Sequence, residues 1–194
     1  LSEKKVAVIG IGNILMGDEG AGIMVIEELE KRRFSGDITF IDAGTAFFSI
    51  VSTLRDYDKL IIVDAVYGGG KAGTIYRFGV DDVAAREDRG LSLHDFGVLE
   101  SIQLERIVAR FPRDVVFYGI EPESVSLSLD VSFVCRKAVM CAVQKIIDEL
   151  GCAGIYDDGV KHDTLRHEKP EYKPRRNKNG CQCSKTPRGV AQLT

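Results

Sequence analysis

Two rhythms of apolar and polar positions alternate along the first 150 residues. Short β-branched runs at residues 4–10, 38–41, 60–63 and 115–120 have the continuous apolar character of strands buried on both faces. Between them, residues 21–33, 48–54 and 98–108 carry apolar side chains at helical spacing, and residues 131–150 carry a longer stripe that Gly151 closes. Strand and helix in alternation predict parallel βαβ units. Residues 74–78 form one further short strand, following residues 60–63 with no helix between, so it is expected to lie antiparallel to that third strand. The expected architecture is α/β, three layers α/β/α, around a mostly parallel five-stranded sheet with one antiparallel strand.

After Gly154 the pattern stops. Residues 155–194 hold three of the five prolines, many charges and no sustained apolar period, which reads as a disordered or extended tail following one domain at 1–154. Charge divides the same way. Of 26 Lys/Arg and 29 Asp/Glu, residues 151–194 take nine and five, so the body is acidic and the tail basic. An acidic body argues against nucleic acid as a partner of the fold. No apolar run reaches the roughly 18 residues of a membrane span, and no signal-peptide core precedes the first strand, so the expected location is cytoplasmic. Five cysteines, an odd number without framework spacing, agree with a reducing compartment.

The candidate chemistry sits where strands end. Between the first strand and first helix, GIGNILMGDEGAG (residues 10–22) places five glycines and two carboxylates, Asp18 and Glu19, in a strand-to-helix turn. A dinucleotide fingerprint would need a third glycine at Leu15, and the acids stand where pyrophosphate would have to come. Carboxylates in a crevice instead suit cation binding or proton transfer, while one acid alone could simply cap the helix. Asp42 and Asp64 follow the second and third strands, so Glu19, Asp42 and Asp64 are expected to share one crevice at the carboxyl edge. His94 is the only histidine in the body of the chain. A non-catalytic nucleotide-binding or regulatory domain stands as the alternative, resting on GxGN after strand one and on Asp42 in the place of a ribose-binding acid.

GNILMGDEGAG (residues 12–22) resembles the N-terminal signature of the hydrogenase maturation proteases, which trim the C-terminus of the [NiFe]-hydrogenase large subunit. LIIVDAV (60–66), LSLHDFGVLE (91–100) and YGIEPES (118–124) extend the resemblance, in order, over about residues 4–150. It implies an endopeptidase that removes the C-terminal extension of a large-subunit precursor after nickel insertion. It implies further that Glu19, Asp64 and His94 ligate a metal, the nickel carried by that precursor, with Glu19 where many relatives have Asp. Two carboxylates and an imidazole suit a borderline divalent ion such as Ni²⁺. No HExxH or GxSxG occurs, and no cysteine falls near His94. One route to hydrolysis is nickel polarising the scissile carbonyl while Asp18, Asp42 or Asp64 helps a water to attack, and the resemblance implies an aspartic-type peptidase.

Overall fold

The structure, a computed structural model, describes residues 4–80, 82, 92–93, 97–152, 183–185 and 191–193. Its centre is β1 (Val6–Ile11), whose six residues are all buried. β1 pairs in parallel with β2 (Ile38–Gly44) on one side and β3 (Lys59–Tyr67) on the other. β3 pairs in parallel with β6 (Asp114–Ile120), and β4 (Ile75–Gly79) closes the five-stranded core antiparallel to β6. The expected mixed sheet is thus present, but β4 borders β6 rather than β3. The chain crosses back after β4 and inserts β6 between the two, a step that local pattern cannot reveal.

Three short strands add to this core. β5 (Ser92–Leu93) lies antiparallel to the end of β3, in a stretch whose sequence is charged and irregular. In the tail, β8 (Ala191–Leu193) pairs antiparallel with β4, and β7 (Cys183–Lys185) pairs with β8. The rest of the tail, and His94, lie outside the described residues.

Helices cover both faces because the strands bury both. On one face α1 (Ala21–Glu30) and α4 (Phe133–Cys152) bring Val25, Leu29, Val139 and Ile146 against Val8, Ile61 and Val116. On the other, α2 (Phe47–Ile50), the 3-10 segment Val51–Asp56 and α3 (Gly97–Val108) bring Phe47, Leu54 and Ile102 against Ile9, Ile62 and Phe117. At about 25 cal/mol per Å² of apolar surface removed from water, these two clusters are the main source of stability. α4 runs through Gly151 to Cys152, so that glycine is helical and does not close the helix. Among the described residues no helix is long and apolar enough to cross a membrane.

The glycines of the first turn serve this packing. A Cβ on Gly22 would stand 2.2 Å from the Ile11 carbonyl oxygen and 2.4 Å from that of Val63, and one on Gly10 would stand 2.5 Å from the Gly22 oxygen. α1 therefore starts directly on the backbone of β1 and β3. Gly12, at φ 143°, leaves room for the Glu19 carbonyl. What the glycine-rich turn approaches so closely is the protein's own backbone.

Candidate active site

At the carboxyl edge of the sheet, the loop after β1 folds back through the Asn13 side chain, which accepts the Leu15 N–H at 3.0 Å, into the 3-10 turn Asp18–Gly20. This turn points its two acids in different directions. Asp18, 1% exposed, holds the N-cap residue of α4 rather than capping its own helix α1. Its carboxylate accepts the Ser132 N–H at 2.6 Å, the Ser132 hydroxyl at 2.9 Å and the Glu123 and Ser124 N–H groups at 2.8 and 3.3 Å. Ser132 in turn accepts the Cys135 N–H, the N-cap bond of α4. Negative charge beside a helix N-terminus is favourable, so the dipole of α4 adds to what these four donors provide.

Glu19 lies on the other side of the turn, half-buried, near Asp64. Asp64 is 2% exposed. One of its oxygens accepts the Ala65 N–H at 2.7 Å, and the other, Oδ2, is buried without a hydrogen-bond partner among the described residues. Burial pushes the carboxyl up to about 7 from 3.8; the Ala65 bond opposes this and the Glu19 charge adds to it. An orphaned buried oxygen beside a second carboxylate is a donor set that a cation would complete. Among the described residues no third His, Cys, Asp or Glu joins them.

The expected shared crevice takes in Glu19 and Asp64 but not Asp42. Both aspartates lie within strands, since β2 continues to Gly44 and β3 to Tyr67; each acid interrupts the apolar run while the backbone ladder goes on. Alternation then separates them. Asp42 follows the parity of Ile38 and Phe40, on the α1 and α4 face, and Asp64 that of Leu60 and Ile62, on the opposite face. Asp42 is exposed, and its Oδ1 accepts the Gly44 N–H at 2.9 Å, an Asx turn that ends the strand.

Glu121 is a buried acid that reads in the sequence as an ordinary residue leaving β6. Its Oε2 accepts the Tyr76 hydroxyl at 2.6 Å and the Gly68 and Gly70 N–H groups at 2.8 and 3.3 Å. It thereby fastens the turn Gly68-Gly69-Gly70, which follows the strand bearing Asp64. Only the apolar context of Tyr118-Gly119-Ile120 and Pro122 could have hinted at its burial.

A family model described as hydrogenase maturation protease matches residues 23–149. The chain belongs to this family. It is 28% identical over 153 residues to the hydrogenase 2 maturation protease of Escherichia coli K12, covering 78% of this chain and 93% of the relative. It is 31% identical over 160 residues to the coenzyme F420 hydrogenase subunit delta of Methanothermobacter thermautotrophicus, covering 77% and 96%. Among solved structures, the hydrogenase maturating endopeptidase HybD from E. coli superposes with a TM-score of 0.71 at 27% identity, over 78% of this chain and 95% of that one. As a hydrogenase maturation protease the chain is a peptidase with a role in processing a hydrogenase large subunit. The nucleotide-binding alternative is not favoured, and the glycines that suggested it are occupied by α1 and Glu19.

Proposed function

We propose that this protease removes the C-terminal extension of a [NiFe]-hydrogenase large-subunit precursor in the cytoplasm once nickel has been inserted. The observation that supports the reading best is the Asp64 carboxylate, buried beside Glu19 with one oxygen unpartnered among the described residues. A nickel ion arriving with the substrate would meet Glu19, Asp64 and His94 and relieve the cost of that burial. Nickel would serve there as a recognition element and as a Lewis acid toward the scissile carbonyl.

The protein's own groups have separate tasks in this reading. Asp18, with four donors on its carboxylate, holds the 123–132 segment against the turn that carries Glu19. Asp64 orients the attacking water and takes its proton, Asp42 lying exposed on the other face of the sheet. Asp64 has the position for this, being in the crevice with Glu19.

The test is processing of nickel-loaded precursor by Glu19→Ala, Asp64→Asn and His94→Ala, each checked for folding by circular dichroism. Uncleaved precursor is expected with all three. Normal processing by all three folded variants would overturn the site assignment.

A further inference from the structure

Beside the Glu19 turn, the protein displays apolar side chains where a loop would ordinarily be polar. Leu127 and Leu129 are 84% and 77% exposed, and Ile14 and Leu15 are 55% and 53% exposed. The two segments form one ledge. The Ser128 N–H donates to the Leu15 carbonyl at 2.9 Å and the Gly17 N–H to the Ser128 carbonyl at 2.8 Å, with Met16 and Ser128 bridged in parallel. The ledge is rigidly tied to the crevice, since Asp18 clamps residues 123, 124 and 132, and the Glu19 N–H donates to the Met16 carbonyl.

The backbone of the ledge is also open. While Ser128 spends both main-chain groups on the 15–17 segment, the N–H and C=O groups of Leu127 and Leu129 make no hydrogen bond among the described residues. Exposed large apolar side chains flanked by unpaired main-chain groups are what an extended peptide recognises: side chains for pockets, backbone for added hydrogen bonds. Folding gives no reason to expose four such side chains together, whereas a peptidase must hold its substrate chain next to the scissile bond.

We propose that the ledge of Ile14, Leu15, Leu127 and Leu129 docks an extended, apolar-bearing segment of the precursor's C-terminal region, adjoining the bond to be cut. The proposal rests on the endopeptidase reading above. Contiguity with Glu19 selects this occupant over any other. A peptide lying on Leu15 and Leu127 runs on to the turn that bears the crevice acid without leaving the surface.

The test uses the full-length chain and nickel-loaded precursor. Leu127→Ser and Leu129→Ser, singly and together, and Leu15→Ser should leave the melting temperature unchanged because these side chains are exposed. The double variant should raise KM about tenfold or more while kcat stays within about twofold. Pull-down should show weaker retention of the precursor, and no change for a large subunit lacking its C-terminal extension. An unchanged KM in variants of a wild type that does cleave would overturn the ledge and leave the endopeptidase reading intact. Failure of the wild type to cleave would instead defeat that reading. If the variants turned a wild-type dimer into a monomer with KM unaltered, the ledge would be a contact between copies of this chain, and the docking proposal would fall.

Discussion

Asp18 and Ser132 are joined twice: the Ser132 N–H donates to Oδ1 at 2.6 Å and its hydroxyl to Oδ2 at 2.9 Å. Through this pair the turn after the first strand and the start of the last helix, over a hundred residues apart in sequence, become one unit. Asp18→Ala removes a charged acceptor from four donors at once. We expect a loss of about 2–3 kcal/mol, read as a lower urea midpoint at unchanged slope. Asp18→Asn, keeping one acceptor oxygen, should lose less. Processing should fall in both variants at 37 °C and recover at low temperature in Asp18→Asn, whose remaining acceptor oxygen can close part of the clamp; a lasting loss in a fully folded Asp18→Asn protein would instead give Asp18 a direct part in hydrolysis.

Gly22 gives a sharper structural test. Its Cα faces the carbonyls of Ile11 and Val63, and no side chain can yield there because both neighbours are backbone. Gly22→Ala should abolish soluble expression or lower the melting temperature by more than ten degrees or so, an overpacking cost at the top of the range of about 1–3 kcal/mol or beyond it. Gly97→Ala, at the start of α3 with nothing among the described residues within 4 Å of an added methyl group, should be neutral or slightly stabilising. Equal effects from the two would show that α1 does not rest on the sheet as described.

How far the sequence revealed this arrangement depends on the range of the interaction. The runs Val6-Ala7-Val8-Ile9 and Leu60-Ile61-Ile62-Val63 announce buried parallel strands because both faces of each must be apolar. Asp42 and Asp64 interrupt the apolar runs, but buried residues and hydrogen bonding to neighbouring strands continue past them, so the expected strand ends fall short. The partners of Asp18 and the neighbour of β4 are contacts between distant segments, and a single sequence carries no local trace of either. The glycines are visible, but not what they face. Only the fold shows that the close approach is to α1 and to the Glu19 carbonyl.

Glu149 sets an acid limit on stability. Burial alone would raise its carboxyl, but Arg77, Lys59 and the Tyr118 hydroxyl donate to it and bring it down to about 2 from 4.5. A carboxyl depressed on folding contributes stability above its unfolded value, lost as pH falls through the folded one. The contribution should therefore be complete above about pH 5 and vanish toward pH 2, amounting to at most about 3 kcal/mol. Glu149→Gln should melt below the wild type at pH 7, with the gap closing between pH 5 and pH 2. A gap independent of pH would mean that the network acts through packing alone.

Nickel in the precursor should decide whether it is cut. A site that offers carboxylates and leaves coordination positions open is completed by an ion held on another molecule. Nickel-free precursor should remain uncleaved at enzyme concentrations that process the loaded form to completion. Cleavage of both at one rate would remove the metal from recognition and leave the peptide contacts as its whole basis.

Part of the tail covers the sheet edge at β4. Ala191, Gln192 and Leu193 pair with Arg77, Tyr76 and Ile75, so removing residues 156–194 takes away three residues of ladder and uncovers β4. The five-stranded core keeps both of its helical layers, and so brief a pairing contributes on the order of 1–2 kcal/mol, equivalent to a few degrees in a chain of this size. The truncated protein should therefore melt within a few degrees of the full chain. An uncovered edge strand is also a template for another chain, and here only Arg77 offers a charge against that pairing. Sedimentation velocity should show the truncated protein associating with rising concentration while the full chain does not. The tail is basic overall, so any help it gives in docking an acidic precursor should fade with salt, the Debye length being about 10 Å at 0.1 M. A fall of tens of degrees on truncation would place the tail within the core and move the domain boundary beyond residue 154.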